Sequence, residues 1–309
     1  MRDIEPVRPP CAGHATGNQW IRCCRTCIPI RRGQSRLRPA QCDPAQRPAS
    51  RATLSQRVPT ARVVRPYSHI APDYDLAVGI RDFLRTRRAF EGLVRRYGIV
   101  FHSAADLGCG TGLFACYLSR CWNVPVFAVD CSSEMLNVAA HNCRDARVCF
   151  LLQDIRRLCL PCRVDLVTAN TYTLNHFLDP GQIKAAFRRI RENLRPGGHL
   201  IFDIVTHRQP LSASHVHVRR FRARGREFVH CVRWDPVRRL LSILIIHRAH
   251  TPASRTMEIY LGRGYAPLEI ALWLQETGFE IRGIHDSVTL RVASGLLGSV
   301  AVVARKTST

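Results

Sequence analysis

Apolar positions along the central part of the chain follow two alternating patterns. From Asp82 to Tyr97, Phe83, Leu84, Phe90, Leu93 and Val94 recur at roughly helical spacing, as one face of an amphipathic helix does. A short apolar run ending at Ala104-Ala105-Asp106-Leu107 predicts a first strand, and a glycine-rich turn separates it from a helix over 113–121. Further strands are expected at 124–129, closing on Asp130, at 148–152, ending near Asp154, and at 165–169 and 199–205. Helices are expected over 133–142 and 182–194, the second with Ile183, Ala186, Phe187, Ile190 and Leu194 on one face. Pro196-Gly197-Gly198 reads as a turn. Strands alternating with helices predict a mostly parallel α/β sheet.

The period then changes. Residues 216–221, 228–234, 240–247 and 256–261 read as strands, with turns at Arg224-Gly225 and Asp235-Pro236. Short turns between strands predict an antiparallel insertion, placed at 207–263. A helix over 267–277 stops at Gly278, a residue suited to a left-handed helix end. Residues 279–285 and 299–304 are expected to pair antiparallel at one sheet edge.

Composition divides the chain near residue 66. Residues 1–66 hold nine of the 18 prolines, 13 Arg against three acids, and five Cys, with no sustained period. They read as a disordered tail, with a targeting arm and spurious upstream translation as alternatives. Cys24 and Cys27 form a Cys-x-x-Cys without a matching second pair at zinc-site spacing, so unrelated thiols are the reading there. The globular domain is placed at 67–309. The 309 residues carry 46 Lys+Arg against 23 Asp+Glu, a formal charge of +23, and only Lys184 and Lys306 are lysines. A phosphate-binding surface would draw on both basic residue types, so the skew to Arg points to coding bias more than to nucleic acid. No apolar run approaches the ~18 residues of a membrane span and no secretory signal is evident, so the 14 cysteines are expected to be free thiols in a cytoplasmic protein.

The chemistry concentrates at the strand ends. Asp106-Leu107-Gly108-Cys109-Gly110-Thr111-Gly112 lies between a strand and a helix, where glycines permit positive φ and let a ligand touch the backbone. Asp130 follows Gly110 by 20 residues at the end of the next strand and can accept both hydroxyls of a ribose. The pair implies an adenosine-containing ligand. Position six of a dinucleotide motif is Leu113 here, and Asp106 would repel a pyrophosphate but suit an ammonium.

From Tyr67 to Arg305 the chain resembles the class I S-adenosylmethionine-dependent methyltransferases. Five pieces carry the likeness: Asp106 to Leu113, Val129 to Leu136, Leu152 to Ile155, Asp165 to Asn170, and Leu194 to Gly198. The resemblance implies a Rossmann-like seven-stranded sheet, mostly parallel with an antiparallel last strand, and an antiparallel β lid. It implies S-adenosyl-L-methionine as cofactor. Asp106, Gly108, Gly110 and Gly112 would surround its methionyl part. Asp130 would hold the ribose, Ser132 and Met135 would flank the adenine, and Asp154 with the Ile155 backbone would meet the adenine amino group. Asn170 would close the fourth strand against the methionyl end. For Asp154 the alternative is a turn or cap at a strand end.

The turn Asn170-Thr171-Tyr172-Thr173 has no proline and no Pro-Cys, unlike turns of enzymes that methylate nucleic-acid bases. Two stretches resemble small-molecule enzymes instead: Tyr67 to Asp75, like a Tyr-Asp segment that folds over the cofactor, and Asn175-His176-Phe177 with Phe202-Asp203-Ile204. Tyr67 and Tyr74 are therefore candidate cofactor or lid contacts, with packing of an N-terminal helix as the alternative. His176 is the candidate base, because His has a suitable pKa. Asp203 is placed either against a cationic substrate or at a plain strand end. Arg219, Arg220, Arg222, Arg224 and Arg226 are read mainly as a solvated face. No metal is expected, since the 13 His show no metalloprotease spacing. The expectation is methyl transfer to N or O of a small molecule. An RNA methyltransferase using the basic arm, a non-catalytic cofactor-binding protein and, more distantly, a nucleotide oxidoreductase are the alternatives.

Overall fold

The structure, a computed structural model, describes residues 62–144, 146–207, 216–248, 255–292 and 298–307. In chain order the strands are β1 (Arg62–Val64), β2 (Ala104–Leu107), β3 (Val126–Asp130), β4 (Val148–Leu152), β5 (Val164–Ala169), β6 (Leu194–Val205), β7 (His217–Ala223), β8 (Arg226–Asp235), β9 (Leu240–Arg248), β10 (Arg255–Arg263), β11 (Phe279–Asp286) and β12 (Ser299–Lys306). The α-helices are α1 (Ile80–Tyr97), α2 (Leu113–Cys121), α3 (Ser133–Asn142), α4 (Pro180–Asn193) and α5 (Pro267–Glu276).

Seven strands form the main sheet in the order β11-β12-β6-β5-β2-β3-β4. Pairings among β6, β5, β2, β3 and β4 are parallel, and β12 runs antiparallel to both β6 and β11. Both faces are covered. Phe187, Ile183 and Ile190 of α4 pack on one side, and Phe90 and Leu93 of α1 with Phe114 of α2 on the other. This two-sided burial explains why β2 and β3 read as unbroken apolar runs. From β2 the chain builds outward through β3 and β4, then crosses back to β5 on the other flank of β2. That reversal opens a crevice beyond the carboxyl ends of β2 and β5, where ligands bind in open α/β sheets.

Local signals bound the helices, and the stop at Gly278 is the one the sequence predicts. Gly98 and Gly278 take φ of 58° and 83° after α1 and α5. Ser132 caps α3 through the Met135 N–H, and Asp179 caps α4 through the Gly181 N–H. Pro196-Gly197-Gly198 differs from a simple turn: it bulges within the long β6. Val164 pairs with Leu194 and Leu166 with His199, so residues 195–198 bulge out opposite Asp165.

The second sheet has the order β1-β10-β9-β8-β7. Its pairings are antiparallel except β1 with β10, which is parallel. β1 is a difference from the composition-based boundary, which groups Arg62–Val64 with the tail. Three residues are too few to show alternation, and the strand exists through its pairing with Thr256, Met257 and Glu258. Residues 1–61, including Cys24, Cys27 and most of the basic arm, lie outside the described residues.

The expectation of free thiols fails at Cys116, Cys143 and Cys149, all disulfide-bonded; Cys116 of α2 is joined to Cys143, the residue after α3. The two consecutive crossover helices lie side by side on the same face, with Cα atoms 5.4 Å apart. Spacing in sequence carries no sign of this. No helix among the described residues is long and apolar enough to cross a membrane.

Candidate functional site

The turn after β2 sits at the mouth of the crevice. Gly108, Gly110 and Gly112 have φ of 64°, 53° and 81°, which side-chain-bearing residues rarely adopt. Their surroundings differ. A Cβ on Gly108 would stand 2.4 Å from Thr173 Oγ1, and one on Gly112 2.9 Å from Ala139 Cβ. A Cβ on Gly110 would meet nothing within 4 Å, so its backbone faces open space. Asp130 ties this turn to the end of β3. One carboxylate oxygen accepts from the Gly110 N–H and the other from the Ser132 N–H, each at 2.9 Å. Burial raises the pKa of Asp130, and these backbone N–H groups pull against that rise.

Asp106, 2% exposed, accepts a hydrogen bond from Thr168 Oγ1 of β5 at 2.8 Å. Burial pushes its carboxyl up to about 7. Beyond β5, Thr171 and Tyr172 both take positive φ, and the Tyr172 N–H donates to Asp203 Oδ1 at 2.7 Å. Burial pushes Asp203 up to about 6, against the Tyr172 N–H and Arg85. The buried Asn170 side chain faces Asp106 and, with Thr168, works against the rise in the Asp106 pKa. Tyr74, Asp106, Gly108, Gly110 and Asn170 line one open cleft.

The other sequence candidates stand outside that cleft. Gly112 is packed under α3. Ser132 is spent as the α3 cap, and Met135 is buried with Ile70, Ala71 and Ala77 of the segment before α1. Asp154 caps the turn Ile155–Arg157 and holds the Arg156 guanidinium through both oxygens, Nη2 to Oδ2 at 2.6 Å. That ion pair lowers its pKa, which burial alone would raise. Ile155 lies in the main core. Among the described residues no three His, Cys, Asp or Glu side chains converge as metal ligands.

Residues 104–198 match the methyltransferase domain family. A Geobacillus sp. (strain WCH70) protein that bears a provisional methyltransferase name is 34% identical over 101 residues, 32% of this chain and 40% of its own length. The chain spans between 35% and 40% of the curated relatives it matches. An S-adenosylmethionine-dependent methyltransferase from Clostridium acetobutylicum ATCC 824 superposes with a TM-score of 0.66 at 21% identity, over 78% of this chain and 99% of that one. The sugar N-methyltransferase KedS8 from Streptoalloteichus sp ATCC 53650 superposes with a TM-score of 0.63 at 18% identity, over 84% and 100%. The fold is that of the class I methyltransferases.

On this methyltransferase fold, the second sheet and the segment from Tyr67 to Gly79 close one side of the site. Glu258 of β10, fully buried, accepts from the backbone N–H groups of Tyr67, His69 and Ile70 at 3.0, 2.5 and 3.0 Å, and from the Tyr260 hydroxyl. Asp73, also fully buried, pairs with Arg226. Asp75 accepts from Thr111 Oγ1 of the glycine turn at 2.5 Å and from Asn142 Nδ2 at 3.2 Å. The segment is thus tied to both sheets. Arg219, Arg220 and Arg222 are exposed, whereas Arg226 serves Asp73. Tyr67 meets His176 Nε2 through its hydroxyl at 3.0 Å. His176 Nδ1 faces the Leu261 carbonyl at 3.1 Å, so Nδ1 carries the proton and Nε2 accepts from Tyr67. Burial lowers the pKa of His176 and raises that of Tyr67. Sequence reasoning missed Glu258, Asp75 and Arg85. The Tyr-Asp pattern at 74–75 was a signal for Asp75, and the other two carry none.

Proposed function

We propose that the chain is an S-adenosylmethionine-dependent methyltransferase that acts in the cytoplasm on a nitrogen or oxygen atom of a small molecule. The observation that carries this is the cleft shared by the glycine turn, Asp106 and Asn170, with Asp130 tied to Gly110 at its rim. The residues fit the cofactor. Gly110 leaves room at the backbone, and Asp106 is a buried carboxylate suited to an ammonium. Asp130 would take the ribose hydroxyls, and Tyr74 would cover the methionyl end. KedS8, which shares the fold, is a sugar N-methyltransferase, in keeping with a small acceptor.

When bound, the cofactor would supply an activated sulfonium methyl for attack by an acceptor lone pair, its sulfur leaving as the thioether with the carbon–sulfur electrons. The chain's own residues orient the acceptor, exclude water and handle its proton. His176 is the base in this reading. Its Nε2 is unprotonated and bonded to the Tyr67 hydroxyl, so a proton released by the acceptor reaches Nε2 across that hydroxyl. Calorimetry with S-adenosylhomocysteine on the wild type and Asp130→Ala tests the reading. Binding by the wild type, weakened by at least tenfold in the variant, is expected. A wild type that binds no S-adenosylhomocysteine removes it.

A further inference from the structure

Among the described residues, Thr171 and Tyr172 are the one pair of consecutive non-glycine residues at positive φ, 55° and 63°. Such a φ is uncommon for any residue with a side chain, and for a β-branched one such as Thr171 it is an outlier. Backbone of this kind persists only where its surroundings over-determine it, and it gathers at functional sites. The pair directly follows Asn170, in the turn that leads from β5 to His176.

Two side chains grip the pair. Asp203 of β6 accepts the Tyr172 N–H at Oδ1, 2.7 Å away. The Thr171 N–H bonds to the same buried carboxylate, and with the Tyr172 N–H and Arg85 it opposes the rise that burial imposes on the Asp203 pKa. Arg85 of α1 holds the other end of Tyr172. Its Nη1 donates to the Tyr172 hydroxyl at 2.5 Å, and its guanidinium lies 5.1 Å from the centre of the ring. Nη2 of Arg85 pairs with Asp203 Oδ2 at 3.9 Å. The backbone and side chain of one residue are thus held by two partners that also hold each other.

This grip acts on the cleft. At its far end the turn is pinned by Asn175, whose carboxamide bridges the Val205 N–H and carbonyl and the Arg263 carbonyl. At its near end Asn170 lines the cleft and faces Asp106. Thr173 Oγ1 donates to the Asn170 carbonyl at 2.7 Å, and Thr173 fills the space that a Cβ on Gly108 would need. Were Thr171 and Tyr172 to relax to negative φ, the chain would change direction between Asn170 and Thr173. Both residues would then leave the glycine turn.

We propose that Arg85 and Asp203 are positioning residues of the methyltransferase site: they hold Thr171 and Tyr172 in left-handed backbone and so keep Asn170 and Thr173 set against the cofactor cleft. The proposal rests on the methyltransferase reading. It gives Asp203 a task other than binding a cationic substrate, since Oδ1 is taken by the backbone and Oδ2 faces Arg85.

The experiment measures S-adenosylhomocysteine binding by calorimetry on the full chain. Arg85→Met is expected to weaken binding about tenfold, the factor that corresponds to the strain of one left-handed residue. Tyr172→Gly alone is expected to stay within about threefold of the wild type, because glycine adopts positive φ freely. The double variant of Arg85→Met with Tyr172→Gly is expected to return to within about threefold as well, which a merely structural loss would not do. Asp203→Asn keeps an acceptor for the Tyr172 N–H but loses the charge that faces Arg85. It is expected to weaken binding by a smaller factor, also recovered by Tyr172→Gly, and it covers the case in which Arg85→Met does not fold. An Arg85→Met variant that folds and binds like the wild type overturns the proposal. So does a double variant as weak as Arg85→Met, or a Tyr172→Gly variant that itself loses binding. Where Arg85→Met does not fold, wild-type binding by Asp203→Asn overturns it. Failure of the wild type to bind S-adenosylhomocysteine at all is a separate result, and it removes the methyltransferase reading itself.

Discussion

The Tyr67 hydroxyl lies 3.0 Å from Nε2 of His176, and the two residues are 109 positions apart in sequence. His176 reaches this contact from the turn after β5, Tyr67 from the segment that Glu258 anchors. The pair therefore exists only when the second sheet, the N-terminal segment and the main sheet are assembled. Burial without a neighbouring anion keeps the imidazole neutral.

His176→Asn and Tyr67→Phe are expected to lower turnover by roughly 100-fold, the lower end for a lost general base, with S-adenosylhomocysteine affinity nearly unchanged. Steady-state rates on an acceptor from a methyl-transfer screen, beside calorimetry, check this. The folded pKa of His176 is depressed, so its stabilising contribution is complete above the unfolded value of about 6.5 and is lost as pH falls through the folded value. Activity should follow the same direction. A wild-type profile that rises below pH 6 would remove His176 as base.

Much of this architecture was legible because its cues are local. The glycine turn, Asp130 at a strand end and the helix stop at Gly278 each depend on neighbours within a few positions or one βα unit. What was illegible depends on distant partners. Glu258 reads as an ordinary acid in an alternating strand, yet its partners Tyr67, His69 and Ile70 lie about 190 residues earlier. Met135 sits at the right offset to flank an adenine, but periodicity does not say that Ile70 and Ala77 cover it. The Asp154–Arg156 ion pair is local, and its two-residue spacing was available in the sequence. What could not be read was the rotamer that turns the guanidinium back onto the carboxylate.

Gly110→Ala and Gly112→Ala should fail in different ways. Both residues are left-handed, so each alanine costs about 1–2 kcal/mol. At Gly112 the methyl also collides with Ala139 and with Cys143 Sγ at 3.0 Å, which brings the loss to roughly 2–4 kcal/mol. At Gly110 the methyl enters the open cleft, so the fold persists and cofactor binding falls at least tenfold. Denaturant melts and calorimetry on both variants separate the effects. Equal S-adenosylhomocysteine affinity in Gly110→Ala and wild type would contradict the placement of the cofactor.

Glu258→Ala leaves three backbone N–H groups without their acceptor, at an expected cost of roughly 2–5 kcal/mol. Glu258→Gln retains a carbonyl acceptor and should cost less. In the alanine variant, chymotrypsin is expected to cut at Tyr67 and Tyr74 while the main sheet resists. Global unfolding without a preferred cut would show that the segment and the sheet are one cooperative unit.

Asp106 offers a proton-linked test of the cofactor's orientation. Its pKa of about 7 means that the carboxyl is close to half protonated at neutral pH in the empty site. An ammonium placed beside it favours the carboxylate, so binding must expel a proton: about half a proton per S-adenosylhomocysteine at pH 7. Asp203, at about 6, is mostly ionised at that pH and adds little. Calorimetry in two buffers of different ionisation enthalpy reads the proton count directly. Affinity should rise with pH from about 6 to 8 and then level off, and Asp106→Asn should abolish both the release and the rise. The free protein should show the opposite trend. A raised carboxyl pKa contributes stability below the unfolded value of about 3.9 and loses it as pH climbs through 7, so the ligand-free melting temperature falls where ligand affinity grows. Tight binding at pH 7 with no proton released would place the ammonium elsewhere and leave Asp106 to Thr168 and Asn170.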